Sequence, residues 1–407
     1  MGELVITVVG VDGSPLSTQA EQRLAAASLV MGGRRHLAAV AMPHGVATLA
    51  LRDDPAAALR AVADEPGDVV VLASGDPGFF GVVRALRRAV QPRPIEVLPG
   101  LTSIALAFGR AGIEWDDAVV VSAHGREPHD ALAVARSQPK VAVLTDERCG
   151  PAELGAVLAG RADRVLLVGE RLGLPGERVV EVTPDEAAAA SWQDPNIVLV
   201  LPSDHATRPP APKAVVAGHR GPQGWALPTG SFAHRDSMIT KPEVRAVVLA
   251  RTGPRLGDVV WDVGAGSGSV AVECARFGAD VHAVERDGDG LDLVRQNASQ
   301  HGVFVHLVHA SAPQALHGLP DPDAVFVGGG GPQVVAACAA RRPTRLVVAL
   351  ATVEQVGPTT AALDGYDVES VLLQSSSLQP LGDGHRLVPA NPVFVVSGHL
   401  ARPGGQP

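Results

Sequence analysis

Trp261-Asp262-Val263-Gly264-Ala265-Gly266-Ser267-Gly268-Ser269 decides how the second half of this chain is read. The apolar run 259–263 is short and bounded, as a buried parallel strand is. It enters a turn with glycine at every second position, where the backbone can bend sharply and come close to a ligand. Residues 270–277 carry the spacing of a helix, whose first amides would face that ligand. A second apolar run, 280–284, ends at Glu285, where a carboxylate can accept from ribose hydroxyls. Strand, glycine turn, helix, strand and terminal acid together predict a nucleoside-binding βαβ unit.

Outward from this unit, both halves of the chain alternate strands with helices, which predicts an α/β protein. In the second half the patterns place strands at 259–263, 280–284, 304–308, 324–327, 345–350, 367–374 and 392–398, and helices at 270–277, 290–301, 332–340 and 353–363. The last two strands have no helix between them and are expected to form an antiparallel hairpin at the sheet edge. In the first half, strands are expected at 5–9, 69–73, 95–98, 119–122, 141–144, 165–168 and 197–201, with helices at 17–27, 55–64, 80–89 and 103–111. Between the halves, 201–225 contains Pro202, Pro209, Pro210, Pro212 and Pro222 with Gly218, Gly221 and Gly224. Its one continuous apolar run, 214–217, could form a short strand. Prolines remove donors and glycines raise chain entropy, so this stretch reads as a connector. The expected domains are 1–201 and 226–400, joined by 202–225. They share no motif spacing, which indicates a fusion of two folds rather than a duplication.

Composition excludes several classes. Aromatic residues make up 3% of the 407, too few for base-stacking platforms. The net charge of -9 disfavours general nucleic-acid binding. Cys149, Cys274 and Cys338 are scattered, without zinc spacing or a disulfide framework, so no metal site is expected and a reducing cytoplasm is. The first ten residues carry Glu3 and a strand-like run rather than a basic leader. No apolar run is long enough to span a bilayer.

The glycine spacing separates two cofactors. A dinucleotide fold prefers G-x-G-x-x-G/A, with its third small residue where Ser269 stands. Here the glycine comes one step earlier, as G-x-G-x-G, and the segment resembles class I S-adenosylmethionine (SAM) methyltransferases. That resemblance implies SAM contacts from Gly264, Ala265, Gly266, Ser267, Gly268 and Glu285. It also implies one from Ala312, in the loop 310–313 that matches the family's adenine contact; Ser311 replaces the usual acid there.

Three loops follow strands in the first half: Val9-Gly10-Val11-Asp12-Gly13, Ala73-Ser74-Gly75-Asp76-Pro77-Gly78 and Leu98-Pro99-Gly100-Leu101-Thr102-Ser103. None fits a P-loop, because no G-K-[ST] follows. In this order they resemble the tetrapyrrole methylases, the class III SAM fold of two α/β subdomains. By that resemblance Gly10, Gly75, Asp76, Phe79, Thr102, Ser103 and Ile104 hold SAM. The first loop departs from the family's G-x-G-P-G at Asp12 and Gly13.

Further stretches narrow the likeness. Gly32-Gly33-Arg34-Arg35-His36-Leu37, Ser122-Ala123-His124-Gly125-Arg126 and Gly169-Glu170-Arg171-Leu172-Gly173 resemble the methylases of corrin biosynthesis. Phe232-Ala233-His234-Arg235-Asp236-Ser237-Met238-Ile239-Thr240-Lys241, Gly384-His385-Arg386 and Asn391-Pro392-Val393 resemble their usual fusion partner, which adds Thr240 to the cofactor residues. The resemblance implies a bifunctional enzyme that methylates a precorrin tetrapyrrole at carbons 5 and 15 and decarboxylates the acetate on carbon 12. The C-terminal half would act first, and the enzyme would be a homo-oligomer. Such a substrate carries a ring of carboxylates, which arginine meets in a bidentate fork. Arg34, Arg35, Arg126, Arg235, Lys241, Arg245 and Arg386 are the candidate partners, of which Arg126, Arg235 and Arg386 stand in strand-end loops. His124, His234 and His385 beside them are candidates for substrate contact or proton transfer. The residues alone leave two other readings open: a methyltransferase for another small molecule with a regulatory first half, and a NAD-linked oxidoreductase.

Overall fold

The computed structural model describes residues 4–51, 55–125, 127–207, 221–235 and 239–401. Arg126 and the expected strand at 214–217 lie outside them. The chain divides into two compact units. One holds 1–116, 120–126 and 140–213; the other holds 117–119, 127–139 and 214–407.

In the first unit, β1 (Ile6–Val11), β2 (Leu29–Gly32), β3 (Ala47–Ala50), β4 (Val69–Ser74) and β5 (Ile95–Leu98) form a parallel sheet in the order β3-β2-β4-β1-β5. Val69 to Leu72 of β4 are buried on both faces, so that strand reads as a continuous apolar run rather than an alternation. Helices α1 (Thr18–Ala26), α2 (Arg34–Ala39), α3 (Pro55–Asp64), α4 (Val83–Ala89) and α5 (Ser103–Ala111) connect these strands and lead out of them. Ser17 and Thr102 cap α1 and α5 by accepting from the amides of Ala20 and Ala105 at 3.2 and 3.0 Å. A second sheet runs β6-β7-β10-β8-β9 from β6 (Val119–Ser122), β7 (Val141–Leu144), β8 (Arg164–Glu170), β9 (Arg178–Val182) and β10 (Asn196–Pro202). Here β10 is antiparallel to both neighbours. Of the helices in this stretch, α6 (His129–Ser137) belongs to the other unit, while α7 (Pro151–Val157) and α8 (Pro184–Ala189) pack on each other. The seven expected strands of this half are present. Strands β2, β3 and β9 and helices α2, α6, α7 and α8 were not among the expectations; each runs only four to nine residues, too short for a clear period.

In the second unit, β11 (Val259–Val263), β12 (Asp280–Glu285), β13 (His306–His309), β14 (Ala324–Val327), β15 (Arg345–Leu350), β16 (Tyr366–Leu373) and β19 (Val393–Leu400) form one sheet, ordered β13-β12-β11-β14-β15-β19-β16. The first five are parallel, and β19 enters antiparallel between β15 and β16. The expected antiparallel pair is thus found, but not as a tight hairpin. Its connection carries a separate two-stranded ribbon of β17 (Ser376–Leu381) and β18 (Gly384–Pro389). Helices α9 (Pro242–Thr252), α10 (Ser269–Arg276), α11 (Gly288–Gln300), α12 (Pro332–Ala339) and α13 (Val356–Ala361) cover the sheet. Two apolar clusters fill its faces. Val260, Val281 and Ala283 lie in one; Val259, Trp261 and Val263 lie in the other.

One ion pair is enclosed in this unit. Arg245 of α9 and Glu273 of α10 both have fully buried side chains and meet at 3.1 Å. Arg245 also donates to the carbonyls of Thr240 and Leu227 and lies 4.7 Å from the ring centre of Phe232. Glu273 accepts the amide of Leu227 at 2.7 Å and Arg276 at 3.1 Å. Burial corrects the expectation that Arg245 faces substrate, and its charge is spent within the fold. Removing one partner of such a pair strands the other in apolar surroundings. Glu273→Gln should therefore lower unfolding free energy by about 3–5 kcal/mol in chemical denaturation. A loss below about 1 kcal/mol would mean that the pair carries little of this segment's stability.

Candidate functional site

In the second unit, β11 ends in a turn where Gly264, Gly266 and Gly268 all have positive φ (76°, 55° and 72°). A Cβ on Gly268 would stand 2.8 Å from the Val294 side chain on α11, so the turn's bare backbone rests against that side chain. A Cβ on Gly266 would meet nothing within 4 Å; it would project into open space. Glu285 fixes this turn from the neighbouring strand end. Its Oε2 accepts the amide of Gly266 at 2.8 Å, and its Oε1 accepts those of Arg286 and Asp287 at 2.9 and 3.0 Å. A shallow pocket opens here between Arg235, Gly266, Ser267, Glu285, Asp287 and Leu293.

The segment 231–235 forms one wall. Asn297, fully buried on α11, accepts the amide of Ala233 at 2.7 Å and donates to the carbonyls of Ala233 and Ser267 at 2.9 and 2.8 Å. Every hydrogen-bonding direction it uses ties the segment to the glycine turn. Arg235, expected to face substrate carboxylates, instead pairs with Asp287 at 2.5 Å and Asp289 at 2.7 Å beside the pocket. His234 is exposed, with Nδ1 2.9 Å from the carbonyl of Phe232.

Asp262, part of the motif at 261–269, has no role assigned from the sequence. It lies under the turn and is 1% exposed. Its Oδ2 accepts the amide of Ala271 at 2.8 Å, while Oδ1 has no hydrogen-bond partner among the described residues. Burial, reinforced by the charge of Glu285 and opposed by the Ala271 amide, pushes this carboxyl up to about 7. An acid placed before a glycine turn at a strand end was the available signal. Ala312 is half-buried after β13, and Thr240, also half-buried, gives its carbonyl to Arg245. His385 and Arg386 are exposed on β18, where Arg386 lies 3.4 Å from Gln379, its one hydrogen-bond partner among the described residues. At the other end of β12, Asp280, His282 and His306 gather. Asp280 is already compensated by Arg136 at 2.6 Å and bonded to His306 at 3.0 Å, so this cluster is a charge-balanced node.

In the first unit the three loops meet backbone to backbone. A Cβ on Gly10 would lie 2.0 Å from the carbonyl of Gly75 and 2.3 Å from the amide of Gly100. Only glycine permits that junction. Gly75 donates to Val11, and Gly100 donates to Gly75, both at 3.0 Å. Asp12, where the first loop departs from the family pattern, accepts the amide of Leu101 at 2.7 Å and that of Ser14 at 2.9 Å. It thereby ties the first loop to the third. Asp76 accepts the amide of Gly78 at 2.8 Å, a local turn. Phe79 is exposed and packs edge-on against Phe80. Thr102 caps α5, Ser103 is half-buried, and Ile104 is buried in the core and has only its backbone to offer. His124 is exposed after β6.

Two family profiles match this chain: "Tetrapyrrole (Corrin/Porphyrin) Methylases" over residues 6–188 and "Precorrin methyltransferase domain" over residues 231–398. A precorrin-6Y C(5,15)-methyltransferase [decarboxylating] of Sinorhizobium sp is 35% identical over 80% of this chain and 78% of its own length. Two shorter relatives each match about half. A cobalt-precorrin-7 C(5)-methyltransferase of Salmonella typhimurium is 34% identical over 48% of this chain and 98% of its own. A probable cobalt-precorrin-6B C(15)-methyltransferase (decarboxylating) of Pyrobaculum calidifontis is 37% identical over 40% and 88%. With two α/β units, a methylase profile on each half and a relative this similar along most of its length, the chain belongs to the decarboxylating precorrin-6Y C5,15-methyltransferase family.

Proposed function

We propose that this enzyme uses SAM at two separate sites to methylate a precorrin at carbons 5 and 15, and that it removes the carboxylate of the acetate on carbon 12. The observation that carries this reading is the presence, on one chain, of two unlike glycine-built loop systems: the turn hooked by Glu285 and the junction at Gly10. The first lies within the match to the precorrin methyltransferase domain, the second within the match to the tetrapyrrole methylases. Segment 1–201 is assigned to carbon 5 and segment 226–400 to carbon 15 and the decarboxylation, with 202–225 as connector. The shorter relatives, each named for one of these activities, support that division. Three buried, unbridged cysteines suit a cytoplasmic enzyme; its expected state is a homo-oligomer. Among the described residues no helix is long and apolar enough to cross a membrane.

The residues of the second unit fit SAM. Gly266 leaves open space where a side chain would stand, Glu285 keeps one Oε2 acceptor site for a ribose hydroxyl, and the orphaned oxygen of Asp262 suits a nearby cation. Bound SAM supplies a methyl group already activated on a sulfonium, so no protein nucleophile is needed. The protein's part is to hold methyl and ring carbon in line and to keep water out. Arg235 stands on the cofactor side, where it joins the wall 231–235 to the turn after β12.

Two tests follow. Glu285→Ala should weaken SAM at the C-terminal site by about 1–3 kcal/mol, the cost of a lost charged hydrogen bond. Asp76→Ala should leave a product short of one methyl group, with the other methylation and the decarboxylation intact. Calorimetry with SAM reads the first variant, and mass spectrometry of the tetrapyrrole product reads the second. A fully methylated product from Asp76→Ala would make that residue a turn former only.

A third test is pH dependence. Because the Asp262 carboxyl is raised to about 7, the folded protein without ligand keeps a proton there that the unfolded chain has released above about pH 4. Its contribution to stability therefore falls as pH rises from about 4 to 7. A cationic ligand reverses this by favouring the ionised form. SAM affinity at this site should rise between pH 6 and 8, and Asp262→Asn should flatten that rise in calorimetry. An unchanged slope in the variant would remove Asp262 from the site.

A further inference from the structure

The motif at 32–37 is left unused by both cofactor sites. Helix α2 brings Arg35 and His36 to the end of β4. Arg35 donates through Nη2 to the hydroxyl of Ser74 at 2.6 Å and through Nε to Nε2 of His36 at 3.2 Å. The Ser74 hydroxyl lies 3.0 Å from the same Nε2. A guanidinium can only donate, so Nε2 carries the ring's lone pair and a neutral imidazole has its proton on Nδ1. That Nδ1 is buried with no hydrogen-bond partner among the described residues. Burial and the charge of Arg35 hold the imidazole down at about 4, so it stays a neutral acceptor at working pH.

Two other arginines near the sites are paired with protein carboxylates: Arg110 with Glu177, and Arg235 with Asp287 and Asp289. Arg35 differs. Among the described residues it is held by two neutral groups, it is exposed, and no carboxylate offsets its charge. Two neutral acceptors restrict its rotamers without using up its charge, which is what preorganising a guanidinium for an incoming anion requires. The place is specific as well. Ser74 directly precedes Gly75 and Asp76, so the fork stands beside the loop junction assigned to the N-terminal cofactor.

We propose that Arg35, positioned by His36 and Ser74, forms a carboxylate-binding subsite at the N-terminal methylation site and selects tetrapyrroles with an acidic side chain at the matching ring position. This rests on the function proposed above. A carboxylate would take two of the remaining N–H groups at once, and the neutral His36 keeps the fork turned to receive it.

The test uses the full-length enzyme with SAM and the precorrin substrate, following initial rates of the methylation that depends on Asp76. Arg35→Gln should raise the KM for the tetrapyrrole about tenfold to a hundredfold, as expected for a lost charge-assisted bidentate contact. Its kcat and SAM affinity should change less than about twofold. Arg35→Lys keeps charge without the fork and should fall between. His36→Leu should raise KM by a smaller factor while the salt dependence of KM stays that of wild type, because Arg35 is still present. In Arg35→Gln that salt dependence should weaken. An unchanged KM in Arg35→Gln and Arg35→Lys, with wild-type methylation normal, would overturn the subsite and leave the proposed function standing. A raised SAM dissociation constant with an unchanged KM for the tetrapyrrole would move Arg35 to the cofactor side and also overturn it. Absence of any methylated tetrapyrrole from the wild-type enzyme would overturn the function and the subsite with it.

Discussion

The carboxylate of Glu285 is the constraint on which the C-terminal site depends. Parallel pairing sets Val263 beside Val284, so β11 and β12 end together. Glu285, one residue further, reaches back to the amide of Gly266 and forward to those of Arg286 and Asp287. One side chain thus fixes the exit of two strands and the entries of α10 and α11. Charged acceptors bonded to several amides are the strong kind of hydrogen bond. Three left-handed residues in a five-residue turn give that carboxylate a defined shape to hold.

Polar groups enclosed around this turn do a second job. Asn297 and the Arg245–Glu273 pair are fully buried, and each bonds the backbone of the segment before α9. That segment has little regular structure of its own, so its amides and carbonyls need partners from elsewhere. Side chains of α9, α10 and α11 supply them. The wall of the pocket is therefore held by buried polar contacts whose loss would leave groups unsatisfied, a stronger restraint than apolar packing alone. In the first unit, Asp12 plays a comparable part with a single carboxylate that links two loops.

The strand pattern and the glycine turn were legible because parallel, doubly buried strands are short apolar runs, and because the turn sits between two of them. The N-terminal loop junction was legible as a set of motifs, while its physical reason, the missing Cβ of Gly10 against two backbones, is a tertiary fact. Helix α9 went unmarked although Pro242 at its start and Gly253 at its end are ordinary helix punctuation. The ribbon β17–β18 alternates polar and apolar residues too weakly to stand out, and it turns a supposed hairpin into two layers of connection. Arginine roles were least legible. Arg235, Arg245 and Arg35 look alike in sequence; one pairs with surface acids, one is buried with Glu273, and one is held by neutral groups. Which carboxylate an arginine meets is decided by packing between segments far apart in sequence.

Two independent SAM sites of different architecture on one chain can be counted by isothermal titration of SAM into the full-length protein. Two molecules should bind per chain, with Glu285→Ala weakening one and leaving the other at wild-type affinity. A single site per chain, or an equal effect of Glu285→Ala on both, would contradict two independent sites.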